Sequence, residues 1–133
     1  NMQSGYDNMA FSNDILEEVY NEYNTFFAGH YTEDGDSYVI CITEDSPQSL
    51  INLLNENLVD YKIVKYNYSD LYNLYKVILA NPKFSEFKGV GINYKNNHVE
   101  IFVPIGYVLP NSFNNYLEIG VLSVEETDLN WVH

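Results

Sequence analysis

The residues able to act as a nucleophile, a base or a metal ligand are few and scattered along the chain. The single cysteine, Cys41, lies inside an apolar run, where cysteine usually behaves as a small buried hydrophobic side chain. The three histidines, His30, His98 and His133, show no spacing of the His-x-x-x-His kind that would let them share a metal ion. We therefore predict a protein that is not an enzyme, with no catalytic residue, no metal and no cofactor.

Clustered carboxylates are the next candidates for chemistry. Glu33, Asp34 and Asp36 place hard oxygen ligands of the kind that Ca²⁺ prefers on a turn, but they lack the loop pattern and terminal glutamate of a calcium-binding hand. With this many acidic residues, neighbouring pairs arise by chance and indicate a solvated face. Gly89 and Gly91 belong to a strand and open no helix, so they are not a nucleotide-binding fingerprint.

The charge of the chain limits its partners. Six lysines against nineteen acidic residues give a formal net charge of −13. Nucleic acid and anionic lipid both attract clustered basic residues, so we exclude them as partners. The acidity indicates either a soluble surface or a basic protein partner. No run reaches the ~18 apolar residues of a membrane helix, so we predict no transmembrane segment. The polar start at Asn1 indicates either a leader removed before it or a chain trimmed at that point, and we expect the first, with an extracellular or cell-surface location.

Tyrosine is unusually frequent, with 13 in 133 residues. Four of them fall on a predicted strand and the flank of the helix that follows it. Tyrosine is enriched as an anchor in protein interfaces, and it also packs at the margin of a core with its hydroxyl in water. The candidate partner-binding residues are therefore Tyr61, Tyr66, Tyr68 and Tyr72, and packing at the core margin is the alternative for each.

Hydrophobic periodicity predicts the elements that must position these residues. We expect a flexible tail over residues 1–11 and a single α+β domain over residues 12–133, without internal repeats. Helical spacing covers residues 13–27, with Gly29 as its stop. A hairpin follows around Asp34-Gly35, and its second strand, 38–43, is apolar on both faces and therefore central. Ser46-Pro47 then begins a second helix, whose predicted buried stripe runs from Leu50 to Leu58.

A strand over 61–66 and a helix that ends before Pro82 lead to the most regular stretch, a hairpin over 88–103 that turns at Asn96-Asn97. The order is thus α-β-β-α-β-α-β-β in a mostly antiparallel sheet with helices packed on it, followed by an irregular tail. The predicted core consists of Ile40, Ile42, Leu54, Val64, Leu71, Leu74, Ile78, Val90, Ile92, Ile101 and Val103.

Three segments resemble prodomains of streptogrisin-type secreted serine peptidases. The motifs Ala28-Gly29-His30-Tyr31 and Asp34-Gly35, with the strand 38–43, resemble the opening strand pair of that family. Residues 64–71 resemble its strand-into-helix segment, and residues 89–103 resemble its closing hairpin. The sequence departs from the family because no peptidase domain is present, because Asn93 replaces a common aspartate, and because His98 replaces a basic residue. Residues 104–133 have no counterpart.

The resemblance, which covers residues 12–103, implies the fold and a secreted setting. Our leading hypothesis is a secreted or surface-attached protein-binding module that engages a peptidase, as an inhibitor or otherwise, by pairing an edge strand with it. The runner-up is an acidic cytoplasmic inhibitor, such as an immunity protein that neutralises a basic toxin through complementary charge. An enzyme ranks third.

Overall fold

Helices and strands alternate along the chain in the order expected of an α+β protein. The computed structural model describes residues 14–33, 35 and 37–129, and the predicted N-terminal tail lies outside them. The described elements are the helices α1 (Asp14–Glu22), α2 (Gln48–Glu56), α3 (Tyr68–Leu79) and α4 (Asn114–Ile119), and the strands β1 (Phe27–Thr32), β2 (Tyr38–Thr43), β3 (Asp60–Val64), β4 (Gly89–Asn93), β5 (His98–Val103) and β6 (Leu122–Glu126). The α+β class and the predicted order of the first eight elements are confirmed.

The chain divides into two compact units, Asn1–Tyr68 and Ser69–His133, and each contains one three-stranded sheet. In the first unit β2 lies between β1 and β3, antiparallel to β1 and parallel to β3. In the second unit β5 lies between β4 and β6 with the same two pairings. The sheets are therefore mixed rather than mostly antiparallel. The reason is that α2 and α4 each connect neighbouring strands by a crossover, which makes those strands parallel.

Both units follow one topology, a helix, a hairpin, a second helix and a strand, which the sequence does not reveal as a repeat. The two units share a short sequence pattern, proline-x-serine followed by a large apolar residue, near the start of their second helices. The segment Pro47-Gln48-Ser49-Leu50 leads into α2, and Pro110-Asn111-Ser112-Phe113 leads into α4. The N–H of Leu50 donates to the Pro47 carbonyl at 3.0 Å, and that of Phe113 to the Pro110 carbonyl at 3.1 Å. Leu50 and Phe113 are both buried.

The predicted core is largely confirmed. Two of its members differ, since Val90 and Ile92 are half-buried. They lie on β4, which in the described residues is an edge strand of the second sheet and pairs with β5 alone. The confirmed core residues are Ile40, Ile42, Leu54 and Val64 in the first unit, and Leu71, Leu74, Ile78, Ile101 and Val103 in the second.

The first helix is shorter than its periodicity predicts. It ends at Glu22, because Phe27 and Ala28 belong to β1 and are fully buried there. Gly29, the predicted helix stop, lies inside β1 with a φ of 98°, where the register with β2 shifts. A bulge that turns the backbone to positive φ favours glycine, so Gly29 is required by the strand and not by the helix.

The second hairpin turns at the predicted place, but through the four residues 94–97 rather than the tight turn at Asn96-Asn97 alone. The chain after it differs from its prediction. Asn97 adopts a φ of 61°, and the N–H of Asn96 donates to Oδ1 of Asn93 at 2.9 Å. The region from residue 104, predicted to be irregular, contains α4 and β6. Gly120 ends α4 with a φ of 85° and lets the chain turn back into β6, which pairs with β5.

Candidate functional site

Two of the residues considered for catalysis, Cys41 and His30, lie in the strands of the first sheet. Cys41 is fully buried in β2, and this burial raises the pKa of its thiol to about 11, so the thiol is protonated at neutral pH. Burial lowers the pKa of His30, whose ring lies edge-on to Tyr38 with centroids 6.2 Å apart. Among the described residues, no group of three His, Cys, Asp or Glu side chains is placed to hold a metal ion. Asp34, Asp36 and His133 lie outside those residues.

His98 takes part in a polar cluster on the second hairpin. Its Nε2 lies 3.0 Å from Oε2 of Glu100, and the Asn93 side-chain amide donates to the same oxygen at 2.9 Å. These contacts join β4 to β5 at the end nearest the turn, where Asn93 is the direct partner of His98. The cluster therefore stabilises the hairpin register.

The four predicted partner-binding tyrosines have different surroundings. Tyr61, in β3, and Tyr66, which follows it, are half-buried in the first unit, and Lys65 Nζ lies 5.3 Å from the centre of the Tyr66 ring. Tyr68 is only 8% exposed, and its ring lies 5.9 Å from those of Phe27 and Tyr20, so it has a packing role.

The fourth tyrosine, Tyr72, belongs to the second unit. It is half-buried and stacks on Tyr75 at 6.3 Å, with Lys76 Nζ 5.0 Å from the centre of its ring. The first unit thus keeps two of the four candidates, Tyr61 and Tyr66, with side chains partly open to solvent.

Strand β3 gives these two tyrosines a shared setting, since within the described part of the chain it lies at the edge of its sheet, with β2 as its neighbour. Ile63, two residues after Tyr61 and therefore on the same face of the strand, is 46% exposed. Natural proteins usually protect a sheet edge with charged residues, and β3 carries Asp60 and Lys62, yet Ile63 next to Lys62 remains exposed. We call strand Asp60–Val64, together with Leu58 and Tyr66, the β3 edge.

Leu58 is the most unusual residue of the β3 edge. It was predicted to lie in the buried stripe of α2, but it is 91% exposed and has a φ of 57°. It follows the end of α2, where the Val59 N–H donates to the Leu54 carbonyl at 2.9 Å and the Leu58 N–H to the Asn55 carbonyl at 3.1 Å. Those two bonds form a Schellman motif, in which glycine is usual at the position that Leu58 occupies. Helical periodicity failed here because the helix ends before Leu58.

A shallow cavity of about 320 Å³ opens beside Leu58, and Tyr38, Val59 and Asp60 are among its lining residues. The unit that contains it is strongly acidic. Residues 1–68 hold two lysines against twelve acidic residues, a formal charge of −10, whereas residues 69–133 hold four against seven, a charge of −3. Both lysines of that unit, Lys62 and Lys65, lie within residues 58–66 beside Asp60, so the excess of acidic residues lies elsewhere in the unit. The β3 edge therefore combines exposed apolar side chains with two basic ones.

Comparison of this chain with protein-family models gives no match, and comparison with curated protein sequences gives none either. The resemblance to peptidase prodomains consequently stays a prediction. Within the described part of the chain, no helix is both long enough and apolar enough to cross a membrane.

The conformation of Leu58 leads to a prediction about stability. Leu58→Gly should raise the free energy of unfolding by about 1 kcal/mol, because the left-handed conformation strains a residue with a Cβ and little buried surface is lost. The reciprocal variant Gly120→Leu, at the end of α4, should lower it by about 1–2 kcal/mol, since Gly120 has a φ of 85° and open space around it. Urea unfolding measures both. A loss of stability in Leu58→Gly would mean that the leucine side chain makes stabilising contacts.

Proposed function

We propose that this chain is a non-enzymatic protein-binding module, extracellular or at the cell surface, that binds its partner at the β3 edge. The observation that carries the proposal is the exposure of Ile63 on a strand that has one strand neighbour among the residues the structure describes. A partner that adds a strand beside β3 would pair with its main chain and cover the isoleucine. Tyr61 lies on the same face and would serve as an aromatic anchor.

The exposed leucine at the start of the edge supports the same proposal. Leu58 keeps a strained backbone and an almost fully solvated side chain, which lowers stability without contributing to the core. A binding partner that covers Leu58 would account for its presence. The charge of −10 on residues 1–68 favours a basic partner for the unit as a whole, because complementary charge speeds association and selects among partners, although Lys62 and Lys65 lie at the β3 edge itself.

Two classes of partner fit this surface. The resemblance to peptidase prodomains favours a secreted serine peptidase, which the module would bind or inhibit. The acidity of the first unit favours, as the alternative, a basic toxin that is neutralised by an acidic cytoplasmic inhibitor. The two differ in location, so the reading frame upstream of Asn1 separates them by the presence or absence of a signal peptide.

Capture of partners on the immobilised chain tests the proposal, first from the culture medium of the source and then from its cytoplasm. For the partner so identified, Ile63→Lys should weaken the affinity at least tenfold, about 1.4 kcal/mol, because it places a charge on the paired edge. Leu58→Gly should also weaken binding while it stabilises the fold. A secreted serine peptidase retained from the medium supports the leading partner class, and a basic cytoplasmic protein supports the alternative.

Val77→Lys is the matched control, because Val77 is 49% exposed on α3 and the substitution adds the same charge. It should bind like the wild-type protein. Both lysine variants should unfold within about 1 kcal/mol of the wild type, since neither removes a fully buried side chain. Equal affinity of Ile63→Lys and Val77→Lys would remove the β3 edge from the proposal.

A further inference from the structure

A loop in the second unit, residues 104–110, carries two aliphatic side chains into solvent. Ile105 is 70% exposed and Val108 is 84% exposed. The loop connects β5 to the short turn before α4, and it has no regular secondary structure of its own. Two exposed aliphatic residues within four positions form an apolar tip, which we call the apolar loop.

The apolar loop is held in place by its own backbone. The N–H of Tyr107 donates to the carbonyl of Pro104 at 3.0 Å, which closes a four-residue turn with Ile105 at its second position. Gly106, at the third position, has a φ of 85°, and only glycine adopts this conformation readily. The turn therefore fixes the direction in which Ile105 projects.

Side-chain contacts hold the middle of the apolar loop, at Gly106 and Tyr107. The hydroxyl of Tyr107 donates to Oε1 of Glu86 at 2.7 Å, and its ring lies edge-on to Phe87, 5.9 Å away. Burial and this bond raise the pKa of Tyr107 to about 12. The Gly106 N–H donates to Oε1 of Glu126 at 3.3 Å. After the loop, the Phe113 N–H donates to the Pro110 carbonyl at 3.1 Å, and Phe113 is 1% exposed.

These anchors leave Ile105 and Val108 outside the packed part of the unit. A fixed loop loses little conformational entropy when it binds, which favours affinity. Because the tip projects outward, the surface that receives it has to be concave and apolar. The role of the two side chains is thus recognition by insertion rather than packing within the chain.

Carboxylates at the end of β6 lie beside the apolar loop, and Glu86, which holds Tyr107, is itself paired with Lys83 at 3.6 Å. Glu126 contacts the loop directly, and the Thr127 N–H donates to the Val103 carbonyl at 2.8 Å, which places the acidic end of β6 beside the start of the loop. Residues 96–129 contain no lysine. These carboxylates disfavour an anionic membrane and a second copy of this chain, since both would bring like charges together.

We propose that the apolar loop is an interaction surface for a basic protein, whose apolar recess receives Ile105 and Val108 and whose lysine or arginine residues face the carboxylates at the end of β6. This proposal goes beyond the function proposed above, because it concerns a different surface in the other unit. Either surface can fail without the other, and Ile63→Lys distinguishes them.

Site-specific photo-crosslinking tests the proposal with the full chain. Benzoylphenylalanine replaces Ile105 in one version and the exposed, polar Asn115 of α4 in a control version. Both are irradiated with the medium and the soluble extract of the source, and mass spectrometry identifies the crosslinked protein. We expect a protein with an excess of lysine and arginine, crosslinked from position 105 and not from position 115, at an apolar segment.

The purified partner then provides the decisive measurement. Val108→Ser should weaken its affinity at least tenfold, the affinity should fall as salt is raised, and Ile63→Lys should leave it unchanged. Thermal unfolding checks that Val108→Ser folds like the wild type. The proposal is overturned by the absence of a crosslinked protein, by an acidic partner, or by affinity that Val108→Ser does not change. Val108-dependent flotation with phosphatidylcholine vesicles would overturn it in favour of a lipid surface, and Val108-dependent dimerisation in sedimentation in favour of a second copy.

Discussion

Replacement of Leu74 by alanine is expected to destabilise the second unit by about 2–5 kcal/mol, because it removes buried methyl groups and leaves a cavity. Leu74 is 6% exposed on α3, between Leu71 and Ile78, which are both fully buried. Spacings of three and four residues put these side chains on one face of the helix. The cavity left by Leu74→Ala would therefore lie in the middle of the buried face of α3.

Val77→Ala, on the same helix, is the control for Leu74→Ala, because Val77 is 49% exposed. It should change the free energy of unfolding by about 0.5 kcal/mol or less. Urea unfolding followed by circular dichroism measures both variants against the wild type. Equal effects of the two substitutions would mean that α3 buries a different face.

The elements predicted best are those whose signals are local. The hairpin over β4 and β5 followed from period-two alternation and from asparagine at the turn, and Asn97 indeed has a positive φ. Helix α4 and strand β6 were missed because they lack such a local signal. The helix has only six residues, and β6 carries Glu125 and Glu126 at its end, so neither shows a sustained apolar period.

The topology that the two units share could not be predicted from the sequence either. Pairing of strands depends on which face of each element is buried, and very different side chains can satisfy the same pattern. The only obvious local trace is the proline-x-serine segment before the second helix, at Pro47 and at Pro110. A similarity between two four-residue segments arises easily by chance. It becomes informative only once the structure shows that each segment lies at the start of a crossover helix.

The candidate site was predictable in part. The density of tyrosine around residues 61–72 indicated the region that contains the β3 edge, the surface we propose for binding, since Tyr61 and Tyr66 belong to it. Leu58 and Ile63 were missed, because exposure depends on where a helix ends and on which strand lies at the edge of a sheet. The apolar loop was likewise hidden, since Ile105 and Val108 look like ordinary core residues in the sequence.

Replacement of Tyr68 by alanine should destabilise the first unit by about 3–5 kcal/mol, the range seen when a buried aromatic ring is removed. Its ring meets those of Phe27 and Tyr20 in tilted and edge-on arrangements, and Phe27 is itself fully buried. Tyr68→Phe keeps the ring and should retain most of the stability. That pair of variants separates the packing of the ring from any contribution of its hydroxyl.

Tyr72→Ala is the comparison that separates packing from recognition among the tyrosines. Tyr72 is half-buried, and its contacts with Lys76 and Tyr75 lie at the surface of a helix, where a cation–π contact contributes about 0.5–1 kcal/mol. We therefore expect urea unfolding to show a loss of about 1 kcal/mol for Tyr72→Ala and a loss several times larger for Tyr68→Ala. If Tyr68→Ala instead unfolds like the wild type, its ring lies at the surface, and Tyr68 returns to the set of partner-binding residues.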